Sequence, residues 1–530
     1  MTGAAEIFVG LLLAVAMLAL VARRVRIPYP ILFVVGGTLL ALIPNLPKVR
    51  LDPELVFLFV LPPLLYPAAL FTSWRDFRAN LRPISLLAVG LVLFTTTAVA
   101  FLAHYFMDLP LAAGFVLGAI ISPPDAIAAT AIAERLNVPR RIVTILEGES
   151  LVNDATALVA YRFAVAAVVT GTFSLSHATG QFFLVGLGGN AVGLVVGWLA
   201  EQFHKQVDDA PIEVTVSLLI PFVAYLLAER LGVSGVLAVV TAGLYLGMRM
   251  PGLLSFRTRL QGGPVWEILE FLLNGFVFIL IGLQLPTVLA GLSGHALSIP
   301  RLAWYAFLIS LAVIVIRVLW VFPATYLPRL IFKSLRRRDP HPRWQSVTIV
   351  AWTGMRGVVS LAAALALPLI AGDGSPFPAR DLILFLTFAV IMATLVVQGL
   401  GLPFLIRWLG IQDDRSMEKE ELEARLKANE AALARLLEIA EREPQKADAL
   451  QRLRVEYEDH IRQVRGVEPG AGAPLRRFSA EYERLSHEAL RVERATILQL
   501  RDKDVMSDEV LRHIQRDIDL AEARLGQHLS

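Results

Sequence analysis

Glu147-Gly148-Glu149-Ser150-Leu151-Val152-Asn153-Asp154 interrupts an otherwise apolar run from Ile142 to Val169, a length that crosses a lipid bilayer. Three carboxylates and an amide within eight residues are costly in that setting. One ionised side chain at the bilayer centre costs about 2.5–3.5 kcal/mol even on a lenient insertion scale. On a helix, Glu149 and Asn153 share a face at i, i+4, and so do Ser150 and Asp154. That face must look into protein or trapped water rather than lipid. Acids inside a membrane mark an ion or proton path, or they tie one helix to a basic partner on another. The stretch alone leaves both roles open for Glu149 and Asp154.

The rest of the chain is as greasy as this run. Its 530 residues are 56% hydrophobic and 18% charged, and mean hydropathy is +0.61, which excludes an ordinary soluble domain. Charge is distributed unevenly. Apolar segments fill the chain to about Gly410, and beyond it nearly every second residue is polar. We therefore expect a transmembrane domain over 1–412 and a cytosolic helical domain over 413–530. The absence of cysteine removes disulfides and thiolate metal sites. The histidines show no H-E-x-x-H spacing, so no zinc enzyme and no cofactor is expected. Nothing in the pattern suggests a nucleic-acid partner.

Thirteen apolar segments of about 17–25 residues centre on Leu13, Val35, Leu61, Leu93, Leu117, Val159, Val192, Leu219, Val239, Val277, Ala312, Ala362 and Ala389. Basic residues crowd alternate loops: Arg23, Arg24 and Arg26; Arg75, Arg78 and Arg82; Arg135, Arg140 and Arg141; Lys205; Arg249, Arg257 and Arg259; and Lys333, Arg336, Arg337, Arg338 and Arg343. The other loops hold only Lys48, Arg50, Arg230, Arg301 and Arg380. The bias predicts an outside amino terminus and a cytoplasmic carboxyl terminus.

Two spans contain helix breakers at membrane depth. The fifth reads Ser122-Pro123-Pro124-Asp125, and its consecutive prolines remove two backbone donors. The twelfth reads Gly354-Met355-Arg356-Gly357. Unwound backbone is tolerated in a bilayer only where it is buried or lines a cavity, and paired breaks point to a transporter's site. The two breaks lie seven spans apart. Spans 1–6 would then correspond to spans 8–13, with the odd offset making the second half inverted and the seventh span a linker. Leu61-Pro62-Pro63 in the third span is expected to be a packing bend. Arg317, mid-way along the eleventh span, is expected to face the interior, and Arg162 is given no ion role.

These motifs together resemble the bacterial sodium/proton antiporters of the monovalent cation–proton antiporter-1 family, relatives of the eukaryotic sodium/proton exchangers. The resemblance rests on Leu61-Pro62-Pro63, Ser122-Pro123-Pro124-Asp125, Gly148-Glu149-Ser150-Leu151-Val152-Asn153-Asp154, Arg317 with Leu319-Trp320-Val321-Phe322-Pro323, and Gly354-Met355-Arg356-Gly357. It implies an all-α polytopic membrane protein of 13 transmembrane helices, with two inverted six-helix repeats and crossed broken helices, usually a homodimer. It implies that Asp154 binds cation and proton alternately and that Ser150 is a ligand beside it. Glu149 would form a structural ion pair with Arg356. Asn153 stands where electrogenic relatives carry a second Asp, which implies electroneutral exchange, and Asp125 would sit at the helix crossing. The chain departs from the family's pattern at Pro67, where many relatives have an acid, and at Pro124, where many have Thr.

The expected function is Na+/H+ exchange across the bacterial plasma (inner) membrane by alternating access, in the service of pH homeostasis. Asp154, Ser150 and carbonyls freed around Ser122 would hold the cation, which prefers hard oxygen ligands. The alternatives are K+/H+ (or Li+/H+) exchange on the same fold and a passive cation channel. A channel is disfavoured by the inverted broken repeats and by the lack of a carbonyl filter motif. In the tail, leucines at helical spacing (Leu422, Leu426, Leu433, Leu437) predict charged helices near 416–442, 446–465, 477–502 and 507–527. The loop Gly466 to Pro474 would separate the two pairs. A role in regulation or dimer support is expected, and no nucleotide fingerprint is visible.

Overall fold

All thirteen predicted centres fall on helices in the computed structural model, which describes residues 2–25, 27–43, 53–136, 138–171, 175–292, 298–333, 339, 341–371, 374–411, 416–442, 447–467, 473–502, 514–515 and 518–521. Among these residues, nine helices are long and apolar enough to cross a membrane. Tyr29–Ala41, Leu111–Ile121 and Gly235–Met250 are shorter apolar helices at the second, fifth and ninth centres. The twelfth is a pair of short helices, Trp344–Trp352 and Val358–Leu365. Arg26, Lys48, Arg50, Arg336, Arg337 and Arg338, used above for the loop bias, lie outside the described residues.

Both predicted breaks are real, for the reason their residues give. Leu111–Ile121 stops at Ser122, because Pro123 and Pro124 cannot donate to the preceding turn, and helix resumes only at Ile127–Arg135. Thr353–Gly357 is unwound between its two half-helices. The third span behaves differently. It remains helical from Pro53 to Phe71, with a π-helical turn over Val56–Val60 just before Pro62 and Pro63. The wider turn absorbs the prolines without a break.

The acidic stretch lies on Arg140–Thr170, a helix of 31 residues, about 46 Å at 1.5 Å per residue. The helix carries it past both breaks. Apolar side chains are packed in three clusters around it, each drawing on several spans. Arg162 forms an exposed pair with Glu229 at 2.9 Å, remote in chemistry from the buried acids.

The chain divides into two compact units, Met1–Gln412 and Asp413–Ser530. The second contains Ser416–Arg442, Ala447–Val467 and Ala473–Asp502. Arg465 joins Glu430 at 2.9 Å between the first two helices, and Ile497 and Ile518 share a small apolar cluster. The predicted loop is shorter than expected, since Gly466 and Pro474 both belong to helices. Most of the predicted segment 507–527 lies outside the described residues.

Candidate functional site

The two unwound segments are bonded to each other. Asp125 donates its backbone N–H to the Met355 carbonyl at 2.7 Å. Arg356 donates Nε–H to the Ile121 carbonyl at 2.9 Å, and a second guanidinium nitrogen bonds the Gly354 carbonyl. Its backbone N–H donates to Thr394 Oγ1 at 3.1 Å. Thr394 opens a π-helical turn over Thr394–Gln398 in the thirteenth span, so that turn braces the break.

The acidic helix grips the same place. Asn153 Nδ2 donates to the Pro124 carbonyl at 2.7 Å, and Ala126 N–H donates to Ser150 Oγ at 3.4 Å. Two carbonyls at the break are bonded by protein, Ile121 by Arg356 and Pro124 by Asn153. The Ser122 hydroxyl donates back to the Ala119 carbonyl at 3.1 Å, and Ser122 is not among the residues lining the cavity that holds Asp154. A serine at a helix end with an open carbonyl three residues earlier bonds locally.

Asp125 sits where two helices begin. Its Oδ1 accepts from Ile127 N–H at 2.9 Å, capping Ile127–Arg135. Its carboxylate also lies so close to Gly357, the residue before Val358–Leu365, that a Cβ there would overlap it. One acid thus faces the positive ends of two half-helices. Glycine at 357 is what permits the approach.

The expected ion pair has a different partner. Glu149 accepts from Arg317 Nη1 and Nη2 at 2.5 and 2.7 Å, and both side chains are only 1% exposed. Arg317 also donates Nε–H to the Val350 carbonyl at 3.1 Å. Arg356 does not pair with Glu149, because its guanidinium is committed to the Ile121 and Gly354 carbonyls. A planar fork meeting a carboxylate two-handed is the geometry that offsets burial best.

Asp154, 7% exposed, lines a cavity of ≈410 Å³ together with Asp125, Ser150 and residues of the third, tenth and twelfth spans. Four polar residues missed by sequence reasoning line it too: Glu270, Thr72, Thr130 and Ser360. Ser360 Oγ is buried without a partner, as is Asn153 Oδ1. Glu270 was detectable as an acid inside an apolar helix, Arg257–Leu292. Ser360 and Thr130 carried no such signal, since hydroxyls are common in membrane helices. Among the described residues no group of three His, Cys, Asp or Glu side chains could hold a resident metal.

A profile of the sodium/hydrogen exchanger transmembrane family matches residues 10–408. The chain belongs to that family. It is 36% identical over 524 residues to an uncharacterized Na+/H+ exchanger of Mycobacterium tuberculosis, covering 98% of this chain and 96% of the relative. It is 36% identical over 414 residues to the sodium, potassium, lithium and rubidium/H+ antiporter of Bacillus pumilus, covering 76% of this chain and 61% of that protein. The sodium proton antiporter MjNhaP1 of Methanocaldococcus jannaschii is similar in fold, with a TM-score of 0.59 at 20% identity over 76% of this chain and 98% of that one. This exchanger is thus a multi-pass membrane antiporter of the sodium/hydrogen class, as its motifs imply, and not an enzyme.

Proposed function

We propose that this exchanger moves one Na+ against one H+ at Asp154, by alternating access and without net charge transfer. The observation that carries the reading is the buried Asp154 carboxylate on the cavity beside the crossing, a group that one monovalent cation or one proton can balance. Arg317 neutralises Glu149. Asp125 is supported by the two half-helix amino termini. Of the four acids that line the cavity (Asp125, Glu147, Asp154 and Glu270), Asp154 is the buried one.

Na+ requires oxygen ligands. Asp154, Ser150 and the unpartnered Ser360 Oγ supply them at the cavity, and the unpartnered Asn153 Oδ1 lies one residue from Asp154 on the same helix. A proton on Asp154 removes the charge that holds the ion, so the two cargoes exclude each other. Asn153 and Arg356 act as positioning residues, since each satisfies a carbonyl of the fifth span's break. Movement of one bundle against the other exposes the loaded site to each side in turn. Residues 1–412 are the transport domain in this reading. Residues 413–530 are a cytosolic regulatory or dimer-supporting domain, and two copies of the chain work as a homodimer in the bacterial plasma membrane. The amino terminus is outside and the carboxyl terminus inside, as the loop charges direct.

K+/H+ or Li+/H+ exchange is the second reading, favoured by the 36% identity to the Bacillus pumilus antiporter, whose name covers several alkali ions. Purified protein in vesicles with an entrapped pH dye, titrated separately with Na+, K+ and Li+, tests both. We expect Na+ to drive proton movement that is insensitive to an imposed membrane potential, and Asp154→Asn to abolish it at normal protein yield. Parental rates in that variant, or a rate set by the potential, would overturn the assignment.

A further inference from the structure

Three helices end at one cavity of ≈690 Å³ that is separate from the exchange site. Arg23 lies in the last turn of Thr2–Val25, Arg135 closes Ile127–Arg135, and Arg407 lies in the last turn of Gly399–Trp408. All three arginines line the cavity, together with buried Ala22 and Ile132 and with Tyr29. None has a carboxylate within ion-pair reach among the described residues. Two arginines nearby in sequence, by contrast, are paired: Arg140 with Asp76 at 2.9 Å, and Arg141 with Asp339 at 2.8 Å.

Basic residues at helix carboxyl ends are partly explained by the helix dipole and by membrane topology. Neither reason requires three of them, from segments far apart in sequence, to converge on a single concavity with no acid among its described lining residues. The dipoles supply only about half a charge per helix end. We propose that this cavity binds the phosphate headgroup of an anionic glycerophospholipid. Guanidinium forks match phosphate oxygens in pairs, and basic pockets between helix ends on the cytoplasmic side suit anionic headgroups.

The surroundings select a lipid over a free anion. Arg407 is flanked by Phe404, 74% exposed, and Trp408, 68% exposed. Val21 and Val25 are likewise exposed beside Arg23. Apolar side chains in that position offer a surface to acyl chains, and an indole at the membrane boundary sits at headgroup level. Inorganic phosphate would gain nothing from them.

The test uses the full chain, purified in detergent and stripped of lipid. Phosphatidylglycerol, cardiolipin and phosphatidylcholine of matched chains are titrated by native mass spectrometry and thermal unfolding, with inorganic phosphate in a parallel arm. Each arginine near an anionic headgroup is worth about fivefold in affinity. Arg23→Gln/Arg135→Gln/Arg407→Gln should therefore weaken anionic-lipid binding on the order of 100-fold while leaving phosphatidylcholine unaffected. Arg425→Gln/Arg435→Gln/Arg454→Gln, an equal charge change in the tail, should leave both unaffected. If the first triple does not fold, Arg407→Gln alone should still show about a fivefold loss. Equal binding in variant and parent, equal loss in the tail control, no preference for anionic lipid, or matching stabilisation by inorganic phosphate alone would overturn the proposal.

Discussion

Glu149 and Arg317 form the most deeply enclosed ion pair described in the membrane unit, and breaking it should be the most damaging single change outside the transport acid. Replacing Glu149 by Gln leaves Arg317 with its charge, 1% exposed, and no carboxylate to accept from it. Stranding a buried charge in this way costs about 3–5 kcal/mol. A loss of about 4 kcal/mol moves the folding equilibrium constant by about three decades at about 1.4 kcal/mol per decade. Since native stability is about 5–15 kcal/mol, Glu149→Gln should fall close to the folding threshold. The assay is folded yield by size-exclusion chromatography together with fluorescence-monitored unfolding, on a double-mutant cycle. Glu149→Gln and Arg317→Gln should each be severe, and their combination should be much less severe than their sum. Glu149→Leu with Arg317→Met should recover most of the stability, because a buried pair roughly breaks even against well-packed apolar residues. The cycle is repeated with Arg356→Gln. If Glu149 couples more strongly to Arg356 than to Arg317, the pairing described above is wrong.

Two further outcomes follow from the same geometry. Gly357→Ala places a methyl group against the Asp125 carboxylate, with a strain of about 1–3 kcal/mol; exchange in vesicles should fall at least about tenfold, and an unaltered rate would contradict the close approach. Asp339 gives a pH dependence outside the spans. Burial alone would raise its carboxyl pKa, but Arg141 and Arg329 hold it below the usual range. A depressed folded value contributes stability that is present above the unfolded pKa of about 3.9 and is lost as pH falls through the folded one. Asp339→Asn should therefore lower the unfolding temperature at pH 7, by an amount matching about 1 kcal/mol for a partly exposed cluster. The gap to the parent should close on acidification, and a gap that widens would refute the linkage.

Residue pattern alone placed the helices of the membrane unit and the points where two of them break. Apolar length fixes a span because the bilayer has one thickness. Pro123-Pro124 and the glycines around Arg356 break helices through local backbone chemistry, so all thirteen centres and both interruptions were legible. The i, i+4 spacing likewise put Asn153 and Asp154 on helix faces that look inward. Pairing was beyond it. Glu149 lies 168 residues from Arg317, and two buried arginines were available to one acid. The choice was made by the carbonyls of Ile121 and Gly354, which occupy Arg356 and leave Arg317 for the carboxylate. The direction of the Ser122 hydroxyl was hidden for the same reason: it depends on the nearest open acceptor, here the Ala119 carbonyl, and that is set by packing. Composition can state that buried charges and carbonyls must be satisfied, but only the tertiary structure decides which group satisfies which.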